Sequence, residues 1–270
     1  MTQRFAVLGA GVIGETMVSS ILRAGHPATA LVVSERHPER AAELRQEYGV
    51  AVTCNNPEAV RGATVILLAV KPADVWSLLV EISVDVEPGA TVVSLVSGVG
   101  TATMEAALPR GVAVVRVMPN TPAIVGAGMF GVSPGSDVSA EQLAQVVSLL
   151  ETGGRVAVVD ESLQDGVTAV SGSGPAYVFY LAEAMIAAGV ATGLSADVAL
   201  LLTQQTLVGA ARLLDDADDT PQELRRRVTS PNGTTAAAVA VFDERGVKDA
   251  LVAGMLASAA RSAELSEPGA

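Results

Sequence analysis

Apolar runs alternate with amphipathic segments through the first half of the chain. Residues 5–8 are all apolar and lead into glycine, and apolar residues then recur at helical intervals at Met17, Val18, Ile21 and Leu22. Gly25 follows and offers a helix end. This pattern predicts a strand, a tight turn and a helix at the start of the chain.

Further apolar runs predict the other strands of a sheet. They lie at Ala30–Val33, Val65–Val70, Thr91–Leu95, Val112–Val117 and Val156–Val159, with helical segments between them. The run at residues 65–70 contains no polar residue, as expected of a strand that is buried on both faces of a parallel sheet. The alternation of strands and helices predicts an α/β fold with a doubly wound parallel sheet.

Alanine-rich helical segments replace the β-rich runs from about Asp165 onward. Ala176–Ala188 carries apolar side chains on nearly every face, with Glu183 as its only charge, so this helix must be buried all round. In a domain of only about a hundred residues, a second subunit supplies such burial most easily. We therefore predict a sheet domain over residues 1–162 and an all-α C-terminal domain, for dimerisation, over residues 163–270.

Three glycines at the G-x-G-x-x-G spacing join the first strand to the first helix: Gly9, Gly11 and Gly14. The first permits the tight turn, the second lets a pyrophosphate approach the backbone, and the third lets helix and strand pack closely. The diphosphate then rests on the free N–H groups of the helix N-terminus. The pattern favours a Rossmann-type dinucleotide-binding domain, and the alternative is an ordinary glycine-rich turn.

The residues after the second strand give a mixed signal about the cofactor. Glu35 would hydrogen-bond the ribose hydroxyls of NAD, whereas Ser34 and Arg36 would receive the 2′-phosphate of NADP. Arg36, His37 and Arg40 form a small cationic cluster, which favours NADP. For Arg40 itself we prefer the alternative that it lies on a solvated helix face.

The charge balance and the cysteine content exclude several classes of function. Lys and Arg number 17 against 29 Asp and Glu, and the net charge of −12 argues against a nucleic-acid partner. Cys54 is the only cysteine, so no disulfide can form within the chain and a cysteine-based metal site is not expected. An anionic ligand must therefore be held by local devices such as helix N-termini or single arginines.

No targeting or membrane segment is predicted. The N-terminus runs straight into the first strand without a signal-peptide pattern. The longest uncharged interval, Val117–Ser136, contains three prolines and four glycines, which excludes it as a membrane helix. We expect a soluble, cytoplasmic protein with no metal and no membrane partner.

Two later stretches are candidates for the substrate side of a site. They are Ser171–Tyr177, a glycine-rich opening to the apolar helix, and Val228–Thr235, which leads into another helix. In the second stretch, the backbone N–H groups of Gly233, Thr234 and Thr235 suit a carboxylate, because the helix dipole lies behind them. The alternative is that Thr234 or Thr235 is only an N-cap.

Few side chains near the predicted cofactor site can move a proton. Both histidines, His26 and His37, lie in the first domain. A dehydrogenase of alcohols uses His, Lys or Tyr to take a proton from oxygen, and Lys71 is the only nearby candidate, with a cofactor contact as its alternative role. A cyclic imine substrate relaxes this demand, because its nitrogen is readily protonated in water.

Five stretches of the chain are similar to a known family: Gly9–Gly14, Ala69–Pro72, Met118–Ala123, Ser171–Tyr177 and Ser230–Thr235. In these motifs, and almost end to end, the chain resembles the pyrroline-5-carboxylate reductases. The last two stretches together are highly specific, because other Rossmann dehydrogenases do not carry both. The resemblance implies NAD(P)H-dependent reduction of 1-pyrroline-5-carboxylate to L-proline. It also implies a helical domain that interlocks with a second subunit, commonly within a decamer of five dimers.

The resemblance further implies roles for individual residues. It gives the pyrophosphate turn to Gly9, Ala10, Gly11, Val12, Ile13 and Gly14. It gives the 2′-phosphate to Ser34 and Arg36, and the ribose and nicotinamide side to Asn56, Ala69, Val70, Lys71 and Pro72. NADPH is the implied cofactor, with NADH as the alternative. The backbone of Gly233, Thr234 and Thr235 would take the substrate carboxylate, the Thr235 hydroxyl would serve the ring nitrogen as the catalytic group, and Glu161 is a further substrate-site candidate.

Two departures from the family pattern bear on the site. Asn232 stands where the family usually has the first of two glycines, and Asn tolerates a left-handed backbone better than most residues. Ser97 stands where alanine is common, which should change little.

Two other functions remain as alternatives. A reductase of another small acid, such as a β-hydroxyacid dehydrogenase, would need a catalytic lysine in the helical domain, where Lys248 is the sole lysine. A non-catalytic protein that senses NADPH would bind the cofactor but show no turnover with any pyrroline.

Overall fold

The computed structural model describes residues 3–266, which form two compact units. The sheet unit contains the described residues up to Ser173 and those from Ser258 onward, and the helical unit contains Gly174–Ala257. The predicted boundary between residues 162 and 163 follows the change from strands to helices, and it stays a prediction.

The sheet unit is built on eight strands. They are β1 (Phe5–Leu8), β2 (Leu31–Ser34), β3 (Ala51–Thr53), β4 (Val65–Leu68), β5 (Thr91–Ser94), β6 (Ala113–Met118), β7 (Gly128–Pro134) and β8 (Gly154–Val158). Their order is β3-β2-β1-β4-β5-β6-β7-β8, and every neighbouring pair is parallel except β6 with β7. The predicted doubly wound sheet is confirmed. The sequence patterns did not reveal β7, which runs antiparallel to its neighbour β6.

Helices cover both faces of this sheet. They are α1 (Val12–Arg23), α2 (Pro38–Tyr48), α3 (Asn56–Val60), α4 (Val75–Ile82), α5 (Thr101–Ala107), α6 (Ala140–Glu151) and α7 (Gln164–Val167). Successive residues of a strand point to opposite faces. Accordingly, Phe5 and Val7 of β1 belong to one buried apolar cluster, and Ala6 and Leu8 belong to the other. The predicted cofactor residue Asn56 is the first residue of α3.

The chain reverses its direction of travel across the sheet at β1, which pairs with β2 on one side and with β4 on the other. In open α/β sheets, ligands bind outside the carboxyl ends of the strands at such a switch point. Gly9 directly follows β1 and Ala69 directly follows β4. The fold therefore places two of the predicted cofactor segments side by side.

The helical unit consists of α8 (Gly174–Ala191), α9 (Ala196–Asp216), α10 (Pro221–Arg227), α11 (Thr234–Glu244) and the first part of α12 (Val247–Ser266). The apolar helix predicted at residues 176–188, for which a second subunit was expected to supply the burial, is not buried within the single chain. No residue of α8 is buried, and Phe179 and Tyr180 are 63% and 73% exposed.

One helical stretch, Glu161–Ala191, is long and apolar enough to cross a membrane as judged by length and composition alone. This stretch includes the apolar helix predicted at Ala176–Ala188. A helix that is buried in an oligomer has the same composition, because it too must be apolar on every face.

Candidate active site

A cleft of about 540 Å³ opens at the carboxyl ends of β1, β2 and β4. Nine of the predicted cofactor residues line it: Gly9, Ala10, Gly11, Ser34, Arg36, Asn56, Ala69, Val70 and Lys71. The other predicted cofactor residues, Val12, Ile13, Gly14 and Pro72, do not line this cleft. The fold thus brings together segments from four separate parts of the chain.

The three glycines of the turn have different surroundings. Gly9 has a φ of +91°, and a Cβ there would lie 2.7 Å from the Ala69 carbonyl oxygen. A Cβ on Gly14 would lie 2.0 Å from the Gly9 carbonyl oxygen, so packing of the helix on the turn requires glycine. A Cβ on Gly11 would meet nothing within 4 Å. Contacts within the chain therefore require glycine at the first and third positions. At the second position they do not, and the absence of a side chain there leaves open space in the cleft.

The amino end of α1 is open to the cleft. Gly11 is its N-cap and has no side chain to satisfy the first N–H groups of the helix. Glu15, in the first turn, is engaged elsewhere: it forms an ion pair with Arg40 and accepts a hydrogen bond of 3.1 Å from the Tyr48 hydroxyl. The N-terminal N–H groups and the positive end of the helix dipole thus remain for an anion.

The side chains of Arg40 and Tyr48 both contact the Glu15 carboxylate. Arg40 pairs with both Glu43 and Glu15, and these contacts raise the pKa of its guanidinium. Burial, followed by the charge of Glu15, raises the pKa of Tyr48 to about 12. Arg40 lines the cleft, but its charge is already paired within α2 and with α1.

The charged residues after β2 differ in whether they already have a partner within the chain. The Glu35 carboxylate accepts a hydrogen bond of 2.8 Å from the backbone N–H of His37, so it is committed to its own turn. The Arg36 side chain is exposed and has no hydrogen bond or ion pair to any other residue that the structure describes. Of Glu35 and Arg36, which both line the cleft, the arginine is therefore the one whose charge has no partner within the described chain.

Ser34 and Asn56 meet in the cleft. Ser34 is 3% exposed, and its Oγ donates a hydrogen bond of 2.6 Å to Asn56 Oδ1. Asn56 Nδ2 in turn donates a hydrogen bond of 2.9 Å to Glu81 Oε2. Two predicted cofactor residues are therefore linked to a third side chain that the sequence analysis missed.

One side of the cleft consists of residues at and within α4, which sequence reasoning did not single out: Asp74, Ser77, Leu78 and Glu81. They are spaced at i, i+3, i+4 and i+7, as expected for one face of a helix. That spacing, directly after the predicted Lys71-Pro72 segment, was the signal that could have identified them.

Glu161 lies at the amino end of α5 rather than in the cleft. Its carboxylate accepts hydrogen bonds from the Thr101 backbone N–H at 2.8 Å, the Thr101 hydroxyl at 2.6 Å and the buried Arg116 guanidinium at 3.2 Å. Burial would raise the pKa of Glu161, but these hydrogen bonds and the charge of Arg116 outweigh it and hold the pKa below its ordinary value. All the contacts of this carboxylate lie within the sheet unit.

The helical unit presents the second predicted stretch as the start of α11. Gly233 is the N-cap, so Thr234 and Thr235 occupy the first two helical positions, and the alternative that one of them is the N-cap is wrong. The Gly233 N–H donates to the Ser230 carbonyl at 3.0 Å. The N–H groups of Thr234 and Thr235 face the open amino end of the helix, where no side chain caps them.

The loop before α11 is tied to the end of α10. The Thr229 hydroxyl donates to the Arg225 carbonyl at 2.7 Å, and the Thr229 N–H donates to the Arg226 carbonyl at 3.2 Å. Asn232 has a φ of 59°, the only positive φ outside glycine among the described residues. The left-handed conformation expected where the family has glycine is therefore present.

Two absences apply to residues 3–266. No group of three or more potential metal ligands is found among them. Lys248 is exposed at the second position of α12, and no hydrogen bond or ion pair involves it within the described chain.

Two family models match the chain. Residues 161–265 match "Pyrroline-5-carboxylate reductase dimerisation", and residues 4–98 match "NADP oxidoreductase coenzyme F420-dependent". The first match covers most of the predicted helical domain, and the second covers the first part of the predicted sheet domain.

Curated relatives and solved structures match over nearly the full length. The chain is 42% identical to the pyrroline-5-carboxylate reductase of Mycobacterium tuberculosis, over 97% of this chain and 96% of the relative. It is 40% identical to that of Pseudomonas aeruginosa, over 98% of each. The structure of a pyrroline-5-carboxylate reductase from Coxiella burnetii is similar, with a TM-score of 0.93, 32% identity and coverage of 99% and 100%.

A further structure, the Plasmodium falciparum pyrroline carboxylate reductase with NADP bound, has a TM-score of 0.88 and 26% identity over 98% of both chains. A glycine turn at the switch point of the sheet and near-complete matches to one family lead to the same result. The chain belongs to the pyrroline-5-carboxylate reductase family: it uses a nicotinamide cofactor to reduce 1-pyrroline-5-carboxylate to L-proline, and it forms an oligomer.

Proposed function

We propose that the cleft at the switch point holds NADPH, with NADH as a weaker alternative, and that the amino end of α11 holds the substrate. The observation that carries the proposal is the turn after β1, where Gly11 leaves space within 4 Å and the α1 N-terminus has no cap. A pyrophosphate fits such a turn because the backbone supplies N–H donors and no side chain blocks its approach. When bound, the reduced nicotinamide supplies the hydride.

The preference for NADPH rests on the residues after β2. Glu35 is bonded to the His37 N–H, whereas Arg36 is exposed and unpaired in the described chain. A free guanidinium suits a 2′-phosphate, because it can donate two parallel hydrogen bonds to phosphate oxygens. Asn56, Val70 and Lys71 would then line the ribose and nicotinamide side, and Ala10, Val12, Ile13, Gly14, Ala69 and Pro72 would shape the adjoining backbone.

The substrate carboxylate is proposed to bind the backbone N–H groups of Thr234 and Thr235. In a chain with a net charge of −12, a helix N-terminus attracts an acid locally without a large basic surface. Gly233, whose own N–H is bonded to Ser230, would shape this end of the helix. The Thr235 hydroxyl, which has no hydrogen-bond partner in the described chain, would hydrogen-bond the ring nitrogen while the imine carbon receives the hydride.

Glu161 is proposed to act on the substrate site indirectly, by fixing the start of α5. Its carboxylate fixes the start of α5 by accepting from both the backbone and the hydroxyl of Thr101. Thr101 follows the loop at the end of β5, on the same edge of the sheet as the cleft. In this proposal, Glu161 shapes the edge of the site from outside the cleft.

The assembly is proposed to be a homodimer formed through the helical domain of residues 163–270, with five dimers in a decamer. The matched dimerisation model over residues 161–265 and the exposed apolar side chains of α8 support the dimer. We propose a cytoplasmic location, as expected for an enzyme of amino-acid biosynthesis. In this proposal, residues 1–162 of each subunit form the dinucleotide-binding domain.

A steady-state assay tests the cofactor preference. Oxidation of the reduced nicotinamide is followed with 1-pyrroline-5-carboxylate as substrate, in parallel with NADPH and NADH. We expect a higher kcat/KM with NADPH, and Arg36→Gln should lower kcat/KM for NADPH by about tenfold while changing the NADH value much less. An unchanged NADPH value in that variant would remove Arg36 from the site.

A pair of substitutions tests the role of Thr235. Thr235→Ala should lower kcat by about ten- to a hundredfold because it removes the hydroxyl that serves the ring nitrogen. Thr235→Ser keeps the hydroxyl and should retain most of the activity. Cofactor affinity, measured by fluorescence titration, should be the same in both variants, and normal turnover of Thr235→Ala would contradict the assignment.

A further inference from the structure

Three side chains form a continuous hydrogen-bonded series inside the cofactor cleft. Ser34 at the end of β2 donates to Asn56 at the start of α3, over 2.6 Å. Asn56 donates to Glu81 near the end of α4, over 2.9 Å. All three residues line the cleft, and Ser34 is buried there. Glu81 has no role in the site as described so far.

The carboxylate of Glu81 fixes the orientation of the Asn56 amide. An ionised carboxylate can only accept hydrogen bonds, so the NH2 group of Asn56 must face Glu81. The Asn56 carbonyl oxygen then faces Ser34 and accepts its only hydroxyl proton. Turning the amide would place its oxygen against the carboxylate, which is unfavourable for two acceptors.

This arrangement suits a ribose hydroxyl better than a phosphate. With the amide held in place, Ser34 has committed its proton and Asn56 offers an acceptor oxygen on the side of Ser34. A 2′-hydroxyl can donate to an acceptor, whereas a 2′-phosphate needs donors. By holding the Asn56 amide in this orientation, Glu81 opposes the attraction of Arg36 for the 2′-phosphate.

We propose that Glu81 determines cofactor specificity by acting through Asn56, and that it keeps NADH usable by weakening the selection for NADPH. Glu81 is a positioning residue, since it holds the amide of Asn56. The inference rests on the proposed cofactor site in this cleft. Without Glu81, the Asn56 amide is free to turn its NH2 group, and Ser34 its hydroxyl, toward the 2′-phosphate.

Two ratios of NADPH to NADH are measured: that of kcat/KM with 1-pyrroline-5-carboxylate as substrate, and that of cofactor affinity in fluorescence titrations without substrate. Glu81→Gln and Glu81→Ala should each raise either ratio by about three- to tenfold, as expected for one partly exposed charge-assisted hydrogen bond. Asp74→Asn is the matched control, because Asp74 lines the same cleft and forms no side-chain bond with Asn56. It should change either ratio by less than about twofold.

A double substitution tests the route through Asn56. In an Asn56→Ala background, Glu81→Gln should leave both ratios unchanged, because the amide that it positions is gone. The thermal midpoint of each variant, measured without cofactor, shows that the compared proteins are folded.

Three outcomes would overturn the inference. They are unchanged ratios in both Glu81 variants, an equal rise in Asp74→Asn, and a full effect of Glu81→Gln without Asn56. Failure of the proposed cofactor site would give a different result. Gly11→Ala and Arg36→Gln, each made in a protein that retains Glu81, would then leave kcat/KM unchanged with both cofactors.

Discussion

At the scale of single residues, the three glycines of the G-x-G-x-x-G motif are needed for different physical reasons. Gly9 and Gly14 are required by the chain itself, because a Cβ on either would lie within 3 Å of a carbonyl oxygen. Gly11 has no such neighbour. The sequence motif indicated these reasons in advance, because the backbone geometry of a strand–turn–helix unit is nearly the same wherever it occurs.

Alanine substitutions should therefore separate folding from cofactor binding. Gly14→Ala should lower the thermal midpoint by about 5 °C or more, because its Cβ would lie 2.0 Å from the Gly9 carbonyl oxygen. Gly11→Ala should lower the thermal midpoint less than Gly14→Ala does, because only the N-cap preference of α1 is affected, and it should weaken NADPH binding, because its methyl group projects into the cleft. Thermal melts and fluorescence titration of both variants check this, and an equally unstable Gly11→Ala protein would contradict it.

Glu161 shows what sequence alone could not give. The residue was predicted as a substrate-site candidate, yet the partners of its carboxylate, Thr101 and Arg116, come from distant parts of the chain. A single sequence contains no signal for such long-range hydrogen bonds, because they depend on how β6 and α5 pack together.

The pH dependence of stability should report on this carboxylate. Its pKa is lowered in the folded chain, so it stabilises the fold above its ordinary pKa of 4.5, and the contribution is lost as the pH falls through the lowered value. Glu161→Gln should thus lower the thermal midpoint at neutral pH, with the difference from wild type shrinking in acid. Glu87→Gln, at an exposed position outside the helices, is the matched control and should leave the thermal midpoint close to that of the wild type.

At the scale of elements, helix starts were predictable where a side chain caps the helix. Thr220 accepts a hydrogen bond from the Glu223 N–H, with Pro221 at the first position of α10, and threonine followed by proline is a sequence pattern typical of a helix start. The start of α11 at Thr234 was less evident, because its N-cap is a glycine without a side chain. Strand β7 was missed because its residues include glycine and proline, which mask the apolar pattern.

The loop before α11 should depend on the backbone conformation at Asn232. Its φ of 59° is open to glycine and asparagine but strained for β-branched residues. Asn232→Gly should keep kcat/KM for the pyrroline acid within about twofold, and Asn232→Val should lower it by about tenfold. Steady-state kinetics test this, and equal activity of the two variants would show that the loop conformation does not matter.

At the scale of the whole molecule, the exposed apolar surface is concentrated in the helical unit. The sequence predicted that the helix at residues 176–188 must be buried all round, and the single chain does not bury it. The apolar pattern and the small size of the domain predicted burial by a second subunit, but they could not say which surface of that subunit provides it. That information belongs to the assembly rather than to one chain.

A charge placed on this helix should therefore weaken the assembly. Phe179, 63% exposed on α8, is the test position, and Phe179→Glu should shift the mass measured by sedimentation toward a smaller species. Val84, 89% exposed in the sheet unit, is the matched control, and Val84→Glu should leave the mass unchanged. An unaltered mass for Phe179→Glu would show that α8 is not part of the interface.

The most direct test of the account is to follow the hydride itself. Proline is formed from 1-pyrroline-5-carboxylate with reduced cofactor that carries deuterium at both C4 positions of the nicotinamide, and the product is analysed by mass spectrometry. The account predicts one deuterium per proline, on the δ carbon bonded to the ring nitrogen. Proline without deuterium, or with deuterium on another carbon, would contradict direct hydride transfer to the imine.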